Sequence, residues 1–212
     1  MRHLLDLLFP PRADERAIRD VSADAFVTRV TPRMVDYTRP PAIALLSFAD
    51  PVVRSALHEA KYHGSTHAYA LLGAALEAYL AEADEVSRSA LLIPVPLGEK
   101  RLKERGYNQV ERVINAALRH PSLAHLALDP RLITRARETV SQVSLPREAR
   151  EENMRGAFTA SLKLRSASTA ELSSTTYIVI DDVITTGATL QAAVDALKAA
   201  GAAHIIPLAL AH

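Results

Sequence analysis

The chain has no cysteine among its 212 residues, and this absence removes several kinds of chemistry at once. Disulfides, thiolate metal sites and a cysteine nucleophile are all excluded, and the redox state of the compartment is left open. The sequence also lacks the Gly-x-Ser-x-Gly segment of a common hydrolase class, which argues against a serine hydrolase.

A charge excess is missing as well, because 25 Lys and Arg residues face 24 Asp and Glu residues. A net charge of +1 creates no general field for nucleic acid or an anionic membrane. We therefore expect neither tight nonspecific nucleic-acid binding nor membrane association. The apolar start, Met1 to Phe9, is short and interrupted by Asp6. A signal peptide or membrane anchor is not expected, and we predict a cytoplasmic protein.

The distribution of prolines and of periodic segments divides the chain into two parts. Residues 1–42 have weak periodicity and contain Pro10, Pro11, Pro32, Pro40 and Pro41, which indicates an N-terminal arm or appendage. From Ile43 onwards, strand and helix patterns alternate. This alternation predicts one α/β domain over residues 43–212, a doubly wound parallel sheet with flanking helices.

The most informative segment is an apolar strand, Tyr177 to Ile180, that ends in two adjacent carboxylates. A short, β-branched apolar run is typical of a parallel strand buried on both faces. Asp181 and Asp182 would then lie at the carboxyl edge of the sheet, where open α/β folds bind their ligands. There they could accept hydrogen bonds from sugar hydroxyls or hold a hydrated Mg²⁺.

A small, hydroxyl-rich turn follows the acid pair and leads into a helix. Its residues can offer backbone N–H groups at a helix N-terminus, a favourable place for an anion. Taken singly, such residues are also ordinary caps and turns, but their order after the acid pair favours ligand binding. The predicted anion-binding residues are Thr185, Thr186, Gly187, Ala188 and Thr189.

A second strand, predicted over residues 91–95, leads into a loop with basic residues. Such a loop could surround pyrophosphate oxygens, and alone it could equally be a solvated basic turn. If its strand neighbours the acid-pair strand, both loops meet at one crevice. The predicted pyrophosphate-loop residues are Pro96, Leu97, Gly98, Lys100 and Arg101.

A long polar stretch over residues 135–158 is interrupted by Pro146 and could close over a substrate. An exposed loop with a short helix fits the same residues. The candidate lid residues are Arg137, Gln142, Arg147 and Arg150.

Three histidines, His58, His63 and His67, are close enough in sequence to be considered as metal ligands. A stable zinc site needs a further ligand, and on an α-helix Glu59 would point elsewhere. We therefore interpret them as surface or core histidines.

The segment from Tyr177 to Leu190 resembles the phosphoribosyl pyrophosphate (PRPP) motif of type I phosphoribosyltransferases. In that family the acid pair contacts the ribose and the turn holds the 5′-phosphate. Further motifs extend the resemblance to the ComF family of competence-associated phosphoribosyltransferases. They are Lys61-Tyr62-His63-Gly64, Arg105-Gly106-Tyr107-Asn108-Gln109 and the run from Arg137 to Phe158.

This resemblance implies a magnesium-dependent PRPP-binding glycosyltransferase with Asp181 and Asp182 as catalytic and metal-binding residues. The chain departs from ComF proteins at its front, where relatives commonly carry a cysteine-rich zinc module, and no zinc is expected here. The predicted function is transfer of a phosphoribosyl group to an unknown acceptor. The alternative is a non-catalytic PRPP- or nucleotide-binding accessory protein in DNA uptake or repair, with possible protein partners.

Overall fold

The computed structural model describes residues 12–83, 90–136, 154–161 and 175–212. Eight strands occur in these ranges: β1 (Arg33–Val35), β2 (Ala42–Leu46), β3 (Ala90–Pro94), β4 (Ala127–Leu128), β5 (Ile133–Arg135), β6 (Phe158–Ala160), β7 (Thr176–Val183) and β8 (His204–Ala211).

The helices in the same ranges are α1 (Ala13–Ile18), α2 (Ala23–Val27), α3 (Pro51–His58), α4 (Thr66–Glu82), α5 (Glu99–Arg105), α6 (Gln109–Ala117) and α7 (Ala188–Ala199). A π-helical turn, Glu59–His63, continues α3, and a 3₁₀ turn covers Pro121–Leu123. Among the described residues, none of the helices combines the length and apolar character that a membrane crossing requires.

Six strands form a central sheet in the order β1-β2-β8-β7-β3-β4. Every neighbouring pair is parallel except β1 with β2, and β5 and β6 form a separate antiparallel hairpin. The predicted α/β class with a mainly parallel, doubly wound sheet is confirmed. β7 lies between β3 and β8, so the acid-pair strand and the strand before the basic loop are neighbours, as expected.

The sheet is buried on both faces because alternate residues of its central strands point to opposite layers. Ile178 and Ile180 face a core shared with α3, α4 and α6, whereas Tyr177 and Val179 face a core shared with α7 and the β5–β6 hairpin. Such a two-sided core fixes the register of β7 and thereby the position of the carboxylates at its end.

The described part of the N-terminal segment packs against the helices α3 and α4 and extends the sheet. Ile18 of α1 and Phe26 of α2 are fully buried in the same core as α4, and β1 extends the sheet by pairing with β2. These elements are short, and Pro and charged residues interrupt their apolar periodicity. The sequence pattern therefore does not indicate the elements. The predicted domain boundary at residue 42 remains a prediction.

Candidate functional site

The acid pair lies at the carboxyl end of β7, in the middle of the sheet. Asp181 is opposite Ala209 of β8, and the next strand on the other side, β3, ends at Pro94. The N–H of Val95 still donates to the carbonyl of Ile180 over 2.9 Å. The segment after β3 therefore begins directly beside the two carboxylates.

Two side chains from other elements converge on one oxygen of Asp182. Gln109 Nε2 donates to Oδ2 over 2.8 Å, and Lys61 Nζ lies 3.3 Å from the same oxygen. The Asp182 side chain is 13% exposed, so this ion pair is partly shielded from water. Both residues belong to sequence motifs that do not by themselves indicate a role, and their place beside Asp182 becomes visible only in the fold.

Each of these two side chains is held by its own local structure. Gln109 is the first residue of α6, and its Oε1 accepts a 2.6 Å bond from Arg105 Nη1. Asn108 caps the same helix through Val110 N–H and also donates to the carbonyl of Val95. The amino end of α6 is thus joined to the loop that follows β3.

Lys61 reaches the site from the π-helical turn. Tyr107 Oη lies within 3.4 Å of the Lys61 carbonyl, which links this turn to the segment before α6. π-Helical turns inside helices are rare and are frequent at functional sites.

The proximity of two carboxylates disfavours the charge on one of them. Burial, and second the neighbouring Asp182, raise the pKa of Asp181 to about 7, although Lys61 acts in the opposite direction. One acid of the pair therefore titrates near neutral pH.

The predicted anion-binding turn follows β7 as expected. Gly187 adopts a left-handed conformation (φ +77°) and precedes α7, to which it brings no capping side chain. A Cβ on Gly187 would lie 2.5 Å from the carbonyl oxygen of Tyr37, so a larger residue cannot occupy this position without a shift of backbone. Thr185 is exposed and Thr186 and Thr189 are partly exposed, whereas Ala188 is buried in the wall of the turn.

The basic loop is only partly a loop. Pro96, Leu97 and Gly98 form the connection, but Lys100 and Arg101 lie in the first turn of α5. The expectation that both basic residues belong to the loop is therefore wrong, because a helix begins directly after Gly98. Lys100 is 83% exposed and lies 4.0 Å from Glu104, one helical turn away.

The candidate lid residues Arg137, Gln142, Arg147 and Arg150 fall outside the described residues. Their role remains a prediction.

The histidines near the π-helical turn differ from the expected arrangement. Ligand atoms of His58, Glu59 and His63 lie within 4.8 Å of one another, whereas His67 Nε2 contacts the carbonyl of Ile18 at 2.8 Å. The expectation that Glu59 points away is wrong, because it assumed α-helical geometry where the chain makes a π-helical turn.

A groove of about 760 Å³ lies between the amino-terminal part of α4 and α6. Tyr69, Tyr107, Arg112 and Arg119 line it, but the acid pair does not. We place the functional site at the acid pair because ligands of open α/β sheets bind outside the carboxyl ends of the strands.

Residues 130–211 match the family described as phosphoribosyl transferase domain, and the matched range contains the acid pair, its turn and α7. This part of the chain is therefore similar to a phosphoribosyl transferase domain. No curated protein matches the sequence. A domain of this kind indicates a small-molecule ligand of the PRPP or nucleotide class, with phosphoribosyl transfer or PRPP binding as its activity.

The acid pair has the donor chemistry that Mg²⁺ prefers, namely carboxylate oxygens. Asp182 Oδ1 accepts from the N–H of Val183 and Oδ2 from Gln109, while Asp181 Oδ1 accepts from the N–H of Asp182. Mg²⁺ usually retains several waters, so two partly engaged carboxylates can still hold it. The residues present therefore fit the ion.

Proposed function

We propose that the protein binds PRPP with Mg²⁺ and transfers the phosphoribosyl group to an acceptor. The observation that carries this proposal is the meeting of two neighbouring strand ends, β3 and β7, at the acid pair and its turn. The family match over residues 130–211 supports the same assignment. Asp181 and Asp182 would contact the ribose hydroxyls, and Thr185 to Thr189 would hold the 5′-phosphate.

In such a transfer a nucleophile displaces pyrophosphate from C1 of the ribose, and positive charge develops on the sugar. The protein contributes placement and charge stabilisation. Asp181 and Asp182 would favour the developing positive charge. When bound, Mg²⁺ would supply positive charge to the leaving pyrophosphate.

The basic residues that could offset the charge of the pyrophosphate lie in different parts of the fold. Lys61 is already within the site, whereas Lys100 and Arg101 on α5 would act from the helix that follows the Pro96–Gly98 connection. Arg137, Gln142, Arg147 and Arg150 would contribute from the lid.

Calorimetric titration of PRPP with and without Mg²⁺ tests the binding step. The double variant Asp181→Asn, Asp182→Asn is expected to weaken Mg-PRPP binding by about 1–3 kcal/mol, because charge-assisted bonds are lost. Unchanged affinity in the folded double variant would refute the site assignment. Pyrophosphate release across a panel of bases and amines then tests turnover.

The alternative is a non-catalytic PRPP- or nucleotide-binding protein, with the role in DNA uptake or repair that the ComF resemblance suggests. This alternative rests on the same site, because a fold and a binding pocket do not by themselves establish turnover. Mg-dependent binding without pyrophosphate release across the panel would support this alternative.

A further inference from the structure

The π-helical turn brings together a group of potential metal ligands that does not include the acid pair. The group consists of His58, Glu59 and His63, whose ligand atoms all lie within 4.8 Å of one another. We propose that this group binds a divalent transition metal, with Zn²⁺ as the ion it fits best.

The backbone explains why these residues converge. π-Helical hydrogen bonds join residues five apart, and the N–H of Gly64 donates to the carbonyl of Glu59 in this way. His58 and His63 are also five apart, so the turn places both rings on one side, with centroids 5.7 Å apart. Gly64 permits the turn to end in a left-handed conformation (φ +62°).

The donor set selects the type of ion. Two imidazoles and one carboxylate are ligands of zinc and related transition metals, whereas Mg²⁺ and Ca²⁺ prefer oxygen alone. Two histidines and a glutamate leave one position for water, an arrangement found in open zinc sites.

A carboxylate next to this group supports one of its rings. Asp14 Oδ2 lies 2.9 Å from His58 Nδ1, and Asp14 Oδ1 accepts a 2.8 Å bond from Ser55 Oγ. Metal-binding histidines are commonly held by a carboxylate in this manner, which fixes the ring orientation and makes the imidazole more basic.

Glu59 needs a cation in any state because its side chain is only 1% exposed. Arg12 supplies that cation through Nε and Nη2, at 2.9 and 2.7 Å from the two carboxylate oxygens. The Arg12 side chain is 50% exposed and can move into water when a metal takes its place. His63 Nε2 lies 4.0 Å from Glu59 Oε1.

The absence of cysteine does not oppose this site, because none of its ligands is a thiolate. Glu59, which on an α-helix would point elsewhere, lies beside both histidines because the chain makes a π-helical turn. A bound metal would stiffen the turn that carries Lys61 to Asp182.

The first test is titration of Zn²⁺ into the full chain, together with the visible absorption of bound Co²⁺. We expect one ion per chain. Loss of an outer-shell partner alone weakens metal binding by roughly 10–100-fold. His58→Ala and His63→Ala each remove a direct ligand, so each should weaken Zn²⁺ binding at least as much. His125→Ala, which removes an exposed histidine elsewhere, is the matched control. No Zn²⁺ binding by the wild-type chain, or equal binding by wild type and both variants, would overturn the proposal.

Arg12→Met provides a second test with an opposite sign. Removal of the guanidinium leaves Glu59 without its cation, so Zn²⁺ should bind more tightly and raise the midpoint of thermal unfolding more than in the wild type. Equal or weaker affinity in Arg12→Met would contradict Glu59 as a ligand. PRPP binding by the same proteins is measured in a separate titration. Failure of the zinc site can therefore be distinguished from failure of the proposed function.

Discussion

Lys61 Nζ lies 3.3 Å from Asp182 Oδ2, the oxygen that also accepts the amide hydrogen bond from Gln109. This single oxygen joins a π-helical turn, the start of α6 and the end of β7. Because two further elements hold it, the Asp182 side chain is oriented before any ligand arrives. Such preorganisation lowers the cost of binding, since less side-chain freedom remains to be lost.

Lys61→Met is expected to weaken Mg-PRPP binding by about 1–2 kcal/mol, which corresponds to about a 5–30-fold increase in Kd. The reason is electrostatic: without this cation, the two carboxylates face an anionic ligand with less compensation. The free energy of unfolding should change by less than about 1 kcal/mol, as for other partly exposed ion pairs. Calorimetry and urea denaturation measure the two quantities.

Lys103→Met is the matched control for Lys61→Met. Lys103 is 82% exposed on α5, so its removal changes the net charge equally without touching the acid pair. If both variants weakened PRPP binding by the same factor, a general charge effect would explain the result and Lys61 would have no specific role.

The acid pair and its turn could be predicted from sequence because all their determinants are local. A buried strand, two carboxylates and a Gly-containing turn follow one another directly, and β7, Gly187 and α7 preserve that order. Their proximity to the loop after β3 followed from one further step, the adjacency of parallel strands in an α/β sheet.

The contacts of Lys61 and Gln109 could not be predicted in the same way. They depend on a π-helical turn that residue periodicity does not indicate, and on the packing of α6 beside β7. The helix α5 was missed for another reason: all its residues stay at least partly exposed, so it has no buried stripe to produce a helical pattern. Lys100 and Arg101 were therefore assigned to a loop.

Gly187→Ala is expected to destabilise the protein by about 2–5 kcal/mol. About 1–2 kcal/mol comes from a left-handed backbone with a Cβ, and about 1–3 kcal/mol from crowding against the Tyr37 backbone. Gly106→Ala separates the two contributions, because Gly106 has the same φ of +77° with nothing within 4 Å of the added Cβ. Equal losses in urea denaturation would show that the Tyr37 contact has no energetic effect.

Gly73→Ala tests the close approach of α4 and α6, the helix that begins at Gln109. The new Cβ would lie 2.7 Å from Ala116 Cβ and 3.0 Å from the Ala117 nitrogen. Crowding of about 1–3 kcal/mol should exceed the gain of about 1 kcal/mol in helix propensity, so the variant should be less stable. Ala116→Gly removes the atom nearest to the new Cβ. The double variant should therefore be more stable than the sum of the two single changes in free energy of unfolding predicts, whereas additive changes would contradict a direct contact.

The stability of the folded protein should depend on pH through Asp181. The pKa of Asp181 is about 7 in the folded protein and about 3.9 in an unfolded chain, so between these values the folded state binds more protons. The free energy of unfolding should therefore fall as pH rises through this window, owing to this group. Asp181→Asn cannot titrate, and its stability relative to wild type should increase from pH 4 to pH 8 in urea denaturation. A relative stability that stays constant or decreases would show that Asp181 ionises normally, and that its proximity to Asp182 carries no energetic cost.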